Sequence, residues 1–345
     1  MKLLIFTQVV DQDDLFLGFF HAWIEALSKK FEKITVVCLK EGRHELPPNV
    51  HVLSLGKEHG TSRLTRALRV LRYSYQLRKE YDAVFVHMNQ EYILLAGWLW
   101  KRLSKKIFMW RNHYAGSSLT DRAASYCEKV FCTSQFSYTA KYANTVLMPV
   151  GVDTAIYKRL SDVSRDPRSI LFYARLAPSK NPGLLIDALG ILHKKGIDFS
   201  ADFYGTPLPQ DKAFADSLLR KVEDMDLGRQ VRFLPGRPHE EGPSIFNAYA
   251  IFVNASRSGM YDKTLLEAAG CECIVVAASK DLAELVPSRF IFEEGNAKDL
   301  AEKLEPLLKM PLQEQQGIGS QMHNVAKAQS LIELSKRLSE EITNS

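Results

Sequence analysis

Apolar residues along this chain fall into two kinds of pattern. Short apolar runs bounded by Gly, Pro or charge recur at 2–10, 34–39, 83–87, 107–110 and 130–133, and again at 168–175, 202–205, 231–234, 251–254 and 274–277. Such runs fit strands buried on both faces. Between them apolar positions repeat at helical spacing, as with Phe20, Trp23, Ile24 and Leu27, or Leu64, Ala67, Leu68, Leu71 and Tyr75. The stretches 244–250, 298–309 and 325–342 read as further helices. Alternating strands and helices imply parallel sheets covered by helices, an α/β architecture.

The runs form two sets, and MPVGVDTAIY at 148–157 lies between them with the turn formers Pro149, Gly151 and Asp153. A chain of 345 residues is also too long for one ordinary core. The expected organisation is an N-terminal domain over 1–150 and a C-terminal domain over 151–325. The last helix, about 326–345, would pack back onto the first domain.

Composition narrows the class. With 46% hydrophobic and 25% charged residues the chain is globular. No charge-free apolar run is long enough to span a bilayer. MKLLIFTQVV runs straight into Asp11, Asp13 and Asp14, which suits a buried first strand rather than a signal peptide. Cys38, Cys127, Cys132, Cys271 and Cys273 lack zinc-finger spacing and read as free thiols of a cytoplasmic protein. Charge is uneven: residues 1–150 hold 21 Lys+Arg against 13 Asp+Glu, net +8, and the remainder 24 against 27, net −3. A basic half attracts an anionic partner. No zinc finger, RNP-like sequence or long Lys/Arg run argues for nucleic acid.

Residues 61–80 concentrate that charge in Arg63, Arg66, Arg69, Arg72 and Arg78 on an amphipathic helix. Two readings stay open. The Leu64–Tyr75 face could cover the sheet and leave a solvated basic face. Alternatively the helix meets anionic lipid, helped by Trp98, Trp100, Trp110, Lys101, Arg102, Lys105 and Lys106 in the next stretch.

Candidate chemistry centres on IFVNASRSGMYDKTLLEAAGCECIVVA, 251–277. Its strand–loop–helix–strand pattern brings backbone N–H groups and a helix N-terminus to the carboxyl edge of a sheet, where anions are favoured. Thr264 and Glu267 also have the spacing of a capping box. His87 and His113 follow neighbouring strands, at the edge where a ligand is expected. There is no G-x-G-x-x-G, so no dinucleotide fingerprint. Asp11, Asp13 and Asp14 suit a solvated loop.

LLEAAGCECIVV resembles the donor-site motif LEAMACGxPVV of the retaining GT-B glycosyltransferases of family GT4. MPVGVDTAIY resembles that family's linker, and RSILFYAR with the following LAPSKN its "GRL...KG" segment. The resemblance runs through nearly the whole chain, most clearly at 148–180 and 250–290. It implies a GT-B fold: two Rossmann-like parallel-sheet domains facing each other across a cleft. By the same resemblance Glu267 binds the ribose of a UDP- or GDP-type nucleotide sugar, and Arg175 and Lys180 hold its diphosphate. The loop of Arg237 borders the base, and Gly205, Ser258, Gly259, Met260 and Leu266 complete the donor site. His113 faces the sugar and the acceptor, with Gly18 and His87 on the acceptor side. The chain departs from the pattern at Ala174 and Asn181, which replace two Gly, at Gly259, which replaces a first Glu, and at Glu272 and Ile274, which replace Gly and Pro. Asp262 and Lys263 stand in the donor loop, either reading the sugar in place of that Glu or serving as a helix cap and a solvated cation.

The implied reaction is a retaining transfer of a hexosyl group to a hydroxyl acceptor, with no metal and no cofactor. The acceptor expected is a lipid-linked or cell-envelope glycan, at the inner face of the cytoplasmic membrane. Two other classes share the architecture: a sugar-nucleotide epimerase and a nucleotide-sugar-binding pseudoenzyme.

Overall fold

The computed structural model describes residues 1–14, 17–256 and 262–345, and all of these but the His239 side chain. The described chain forms two units, Met1–Gly151 with Leu331–Ser345, and Val152–Ser330.

The first unit holds β1 (Lys2–Val10), β2 (Lys33–Glu41), β3 (Val50–Ser54), β4 (Ala83–His87), β5 (Lys106–Trp110), β6 (Lys129–Cys132) and β7 (Thr145–Leu147). They make one sheet in the order β3-β2-β1-β4-β5-β6-β7, and every pairing is parallel. Helices α1 (Phe19–Ser28), α2 (Arg63–Gln76), α3 (Glu91–Arg102), α4 (Ser118–Ala124) and the C-terminal helix Leu331–Thr343 belong to this unit. Strand side chains alternate between two cores, as period two demands. Leu3, Ile5, Phe108 and Trp110 pack with Trp23 and Leu27 of α1 and Leu334 and Leu338 of the C-terminal helix. Leu4, Phe6, Ile107 and Met109 pack with Val70, Tyr92, Ile93 and Trp100. Both faces are covered, which is why β1 reads as unbroken apolar sequence.

The second unit repeats the plan with β8 (Asp166–Tyr173), β9 (Ser200–Tyr204), β10 (Val231–Leu234), β11 (Tyr249–Asn254) and β12 (Ile274–Ala277). The order is β10-β9-β8-β11-β12, again all parallel. Its helices are α5 (Pro182–Lys194), α6 (Lys212–Asp224), α7 (Gly242–Ala248), α8 (Lys263–Gly270), α9 (Ala297–Lys309) and α10 (Leu312–Ala328). In each sheet the order reverses direction at the first strand, the doubly wound arrangement.

Three local expectations change. The single helix expected over 325–342 is two, because Gln329 and Ser330 leave the helical path to pair with the Val152 backbone. Edge strands β3 and β7 were not legible, being short and only partly buried. Finally, α2 does not turn its Leu64–Tyr75 face to the sheet. Val70 and Ser74 are its buried residues, and Leu64, Leu68 and Tyr75 are exposed.

Gly151, the last residue of the first unit before the chain crosses over, needs to be glycine. Its φ is +78°, and a Cβ there would lie 2.3 Å from Leu334 Cδ2.

Candidate functional site

In a doubly wound sheet the ligand crevice opens at the carboxyl ends of the two strands flanking the reversal. In the second unit these are β8 and β11. β8 runs into Ala174 and Arg175, and a turn at Pro178–Lys180 leads into α5. Asn181, where the family pattern has Gly, adopts φ +49° and ψ +47°. It keeps the left-handed conformation the lost Gly would supply, which Asn tolerates better than most residues. Glu272, at another such Gly position, also has positive φ, +62°. The ends of β8 and β9 nearly touch, since a Cβ on Gly205 would fall 2.0 Å from the Ala174 carbonyl oxygen. The Tyr173 hydroxyl donates to the Arg237 carbonyl at 3.3 Å, drawing the loop after β10 to the same edge.

From β11 the chain enters Asn254 and Ser256, where the Ser256 N–H donates to Asn254 Oδ1 at 2.9 Å. Asp262 lies at the start of α8 and gathers the edge together. Its Oδ2 accepts from Lys180 Nζ at 2.5 Å, Asn254 Nδ2 at 3.1 Å and Ser256 Oγ at 3.3 Å, and its Oδ1 from Thr264 Oγ1 at 2.9 Å. Burial alone would raise the Asp262 pKa, but the charge and hydrogen bond of Lys180, with those of Asn254 and Thr264, hold it below the usual value. Of the two roles considered from sequence, the side-chain bonds of Asp262 exclude the helix cap. It makes no side-chain cap to the helix and is instead the counter-ion of Lys180.

The capping box is also absent. α8 starts at Lys263, so Thr264 lies inside the helix and cannot be its cap. Glu267 is 5% exposed, and its carboxylate has no hydrogen-bond partner among the described residues. Burial pushes its pKa up, to about 7, against the partial relief of the Lys263 charge; burial in turn pushes half-buried Lys263 down. Arg175 is half-buried and likewise has no side-chain hydrogen bond or ion pair among the described residues. Leu266, expected to touch the donor, is fully buried and packs as core. Ser258, Gly259 and Met260 lie outside the described residues.

The carboxyl edge of the first sheet carries the other expected residues. Gly18 opens α1 where the Asp14 and Gln12 carbonyls would crowd any Cβ, at 2.7 and 2.9 Å. His87 is not open to a ligand. It is 1% exposed, stacked on Phe20 with ring centroids 3.9 Å apart, and bonded to Thr7 Oγ1 through Nδ1 at 3.2 Å. His113 is half-buried, accepting the Ala115 N–H on Nδ1 at 2.9 Å. Around this edge Met88, Tyr114, Leu119 and Phe136 are exposed. Sequence reasoning missed Gln90, Arg111 and Thr133, which follow β4, β5 and β6. Each has a buried polar side-chain atom without a partner among the described residues, Oε1, Nη1 and Oγ1. Burial lowers the Arg111 pKa. The sequence signal was a lone Arg directly after the apolar run of β5. No group of three metal-ligating side chains occurs among the described residues.

Two parallel-sheet α/β units of this topology define the GT-B fold class. Residues 155–324 match the family described as glycosyl transferases group 1. A D-inositol 3-phosphate glycosyltransferase from Catenulispora acidiphila is 31% identical over 114 residues, which are 32% of this chain and 27% of that protein. The GtfA subunit of a UDP-N-acetylglucosamine–peptide N-acetylglucosaminyltransferase from Streptococcus pneumoniae is 29% identical over 151 residues, 44% of this chain and 27% of the relative. The matched stretches thus span about a quarter of either relative. The Anabaena HepE structure in complex with UDP and glucose aligns over all of both chains, with a TM-score of 0.79 and 18% identity. Sucrose-phosphate synthase from Thermosynechococcus elongatus aligns over 100% of this chain and 99% of its own, at 0.78 and 16%. At these identities the structural likeness carries the fold alone.

Proposed function

We propose that the chain is a retaining, metal-independent hexosyltransferase using a UDP-type sugar donor. The observation that carries this reading is the second sheet's switch point. There Lys180 is held in place by Asp262, and Glu267 is buried with both oxygens unengaged among the described residues. A carboxylate with free acceptor capacity suits the paired hydroxyls of a ribose. Arg175, cationic and without a hydrogen bond among the described residues, suits a diphosphate beside it. The HepE complex with UDP and glucose supports the choice of base.

In the transfer the glycosidic C–O bond breaks and its electron pair goes to the diphosphate, where Arg175 and Lys180 stabilise the developing charge. The acceptor hydroxyl attacks from the face the diphosphate leaves and gives its proton to the departing phosphate oxygen, so configuration is retained. Cations in this role replace a metal. The first unit serves the acceptor, with His113 orienting rather than acting as base. Its exposed Met88, Tyr114, Leu119 and Phe136, with Arg111, whose Nη1 has no partner among the described residues, favour an acceptor with apolar and anionic parts, as a lipid-linked glycan has. Such an acceptor places the work at the inner face of the cytoplasmic membrane.

Thermal unfolding with UDP, GDP, ADP and their sugars tests the donor, because a ligand of the folded state raises Tm by mass action. UDP and UDP-sugars should shift Tm and the others should not. No shift with any nucleotide would overturn the reading. A shift without product from any acceptor would make the chain a nucleotide-sugar-binding protein, and sugar inversion without acceptor an epimerase.

A further inference from the structure

Helix α2 is turned the unexpected way round. Leu64, Leu68, Leu71 and Tyr75 fall within about 60° of arc on a helix of 3.6 residues per turn, yet Leu64 is 70%, Leu68 58% and Tyr75 52% exposed, and Leu71 is only half-buried. The opposite side, with Val70 and Ser74, meets the unit. The helix thus carries Leu64, Leu68 and Tyr75 outward, where no described residue buries them, while Leu71 at the edge of the stripe packs partly against the core. Single exposed apolar residues are ordinary, but an aligned stripe marks a contact surface.

Charge identifies the occupant. The α2 sequence RLTRALRVLRYSYQ contains four Arg and no acid. Arg63 and Arg72 are exposed, and the Arg78 guanidinium lies 4.2 Å from the Tyr75 ring centre. The neighbouring helix α3 adds exposed Trp98, 54% accessible, and ends in exposed Lys101 and Arg102. Ser62 caps α2 through the Thr65 N–H at 3.1 Å, so the helix is formed before any partner arrives. An apolar stripe rimmed by guanidinium groups, with an indole alongside, matches the boundary of an anionic bilayer: the leucines enter the acyl region and the arginines meet lipid phosphates.

We propose that α2, with Trp98, is an in-plane docking surface for a membrane rich in anionic lipid. This deepens the transferase reading, on which the choice of a lipid-linked acceptor rests. Docking itself needs neither donor nor turnover, so either idea can fail alone.

The test is co-sedimentation of the full chain with phosphatidylglycerol-rich and pure phosphatidylcholine vesicles at low and high salt. Binding should favour the anionic vesicles and weaken with salt. Leu64→Ser/Leu68→Ser/Tyr75→Ser should lower the partition coefficient about 100-fold or more while leaving Tm and UDP-dependent stabilisation unchanged, since these side chains are already in solvent. Arg63→Gln/Arg72→Gln should remove the preference for anionic lipid. Three results would each overturn the proposal: no vesicle binding, equal binding by the triple variant, or a concentration-dependent dimer that the triple variant abolishes. The last would assign the stripe to a second copy of the chain.

Discussion

Replacing Glu267 by Gln should make the ligand-free protein more stable at alkaline pH while abolishing its response to UDP. The magnitude follows from burial. A free glutamic acid titrates near 4.5, and burial raises Glu267 to about 7. A carboxyl whose folded pKa lies above its unfolded one weakens the fold as pH rises from about 4.5 to about 7, because the unfolded chain ionises first. At roughly 1.4 kcal/mol per pKa unit the full effect is about 3 kcal/mol. That rise is net of the relief Lys263 supplies, so nothing further is subtracted for it. The net gain expected above pH 7 is therefore about 3 kcal/mol, or a Tm rise of about 6–12 °C. Below pH 4.5 protonated Glu267 and glutamine are nearly equivalent, and the two curves should converge. The assay is thermal unfolding of both proteins from pH 4 to 9, with and without UDP. Parallel pH profiles would mean that Glu267 is not strained by its burial. An unchanged UDP shift in the variant would remove the carboxylate from ribose binding.

Arg175→Ala and Lys180→Ala should each cut turnover about 100-fold or more, as loss of a transition-state charge donor does, and exhaustive chelation should leave activity intact; near-wild-type rates in both variants, or a Mg²⁺ requirement, would contradict the scheme. Asp262→Asn should leave free UDP binding as tight or tighter, because Lys180 loses its counter-ion, while weakening the intact nucleotide sugar; calorimetry showing equal losses for both ligands would refute a separate role for Asp262 toward the sugar. Glu272→Gly should relieve left-handed strain and stabilise by about 1 kcal/mol, read as a higher denaturation midpoint, with no change implying that the positive φ is not maintained in solution.

Strands buried on both faces were legible because both layers of neighbours demand apolar residues, so β1, β4, β5, β8, β11 and β12 stand out in the sequence without any knowledge of what covers them. The parallel sheets and the two-unit plan follow from their alternation with helices. Arg175, Lys180 and Glu267 could be picked out by resemblance to the family's motifs, since the turn after a strand fixes where a side chain starts. Where it ends is a matter between distant segments. Only folding joined Lys180 to Asp262, 82 positions away. Tertiary structure also decided that Glu267 has no hydrogen-bond partner among the described residues rather than returning to Thr264, because the helix begins two residues earlier than a Thr264 cap requires. His87 looked like a strand-end ligand and lies under Phe20, since the α1 aromatics close over it. The same limit holds for α2. Its periodicity announced an amphipathic helix, but period alone records that one stripe is apolar, not which way it faces. That was set by the packing of Val70 and Ser74 on the unit, which leaves Leu64, Leu68 and Tyr75 outward. Local sequence determines the conformation of a segment through short-range sterics and hydrogen bonds. Orientation and partnership depend on contacts distant in sequence, which only the folded chain brings together.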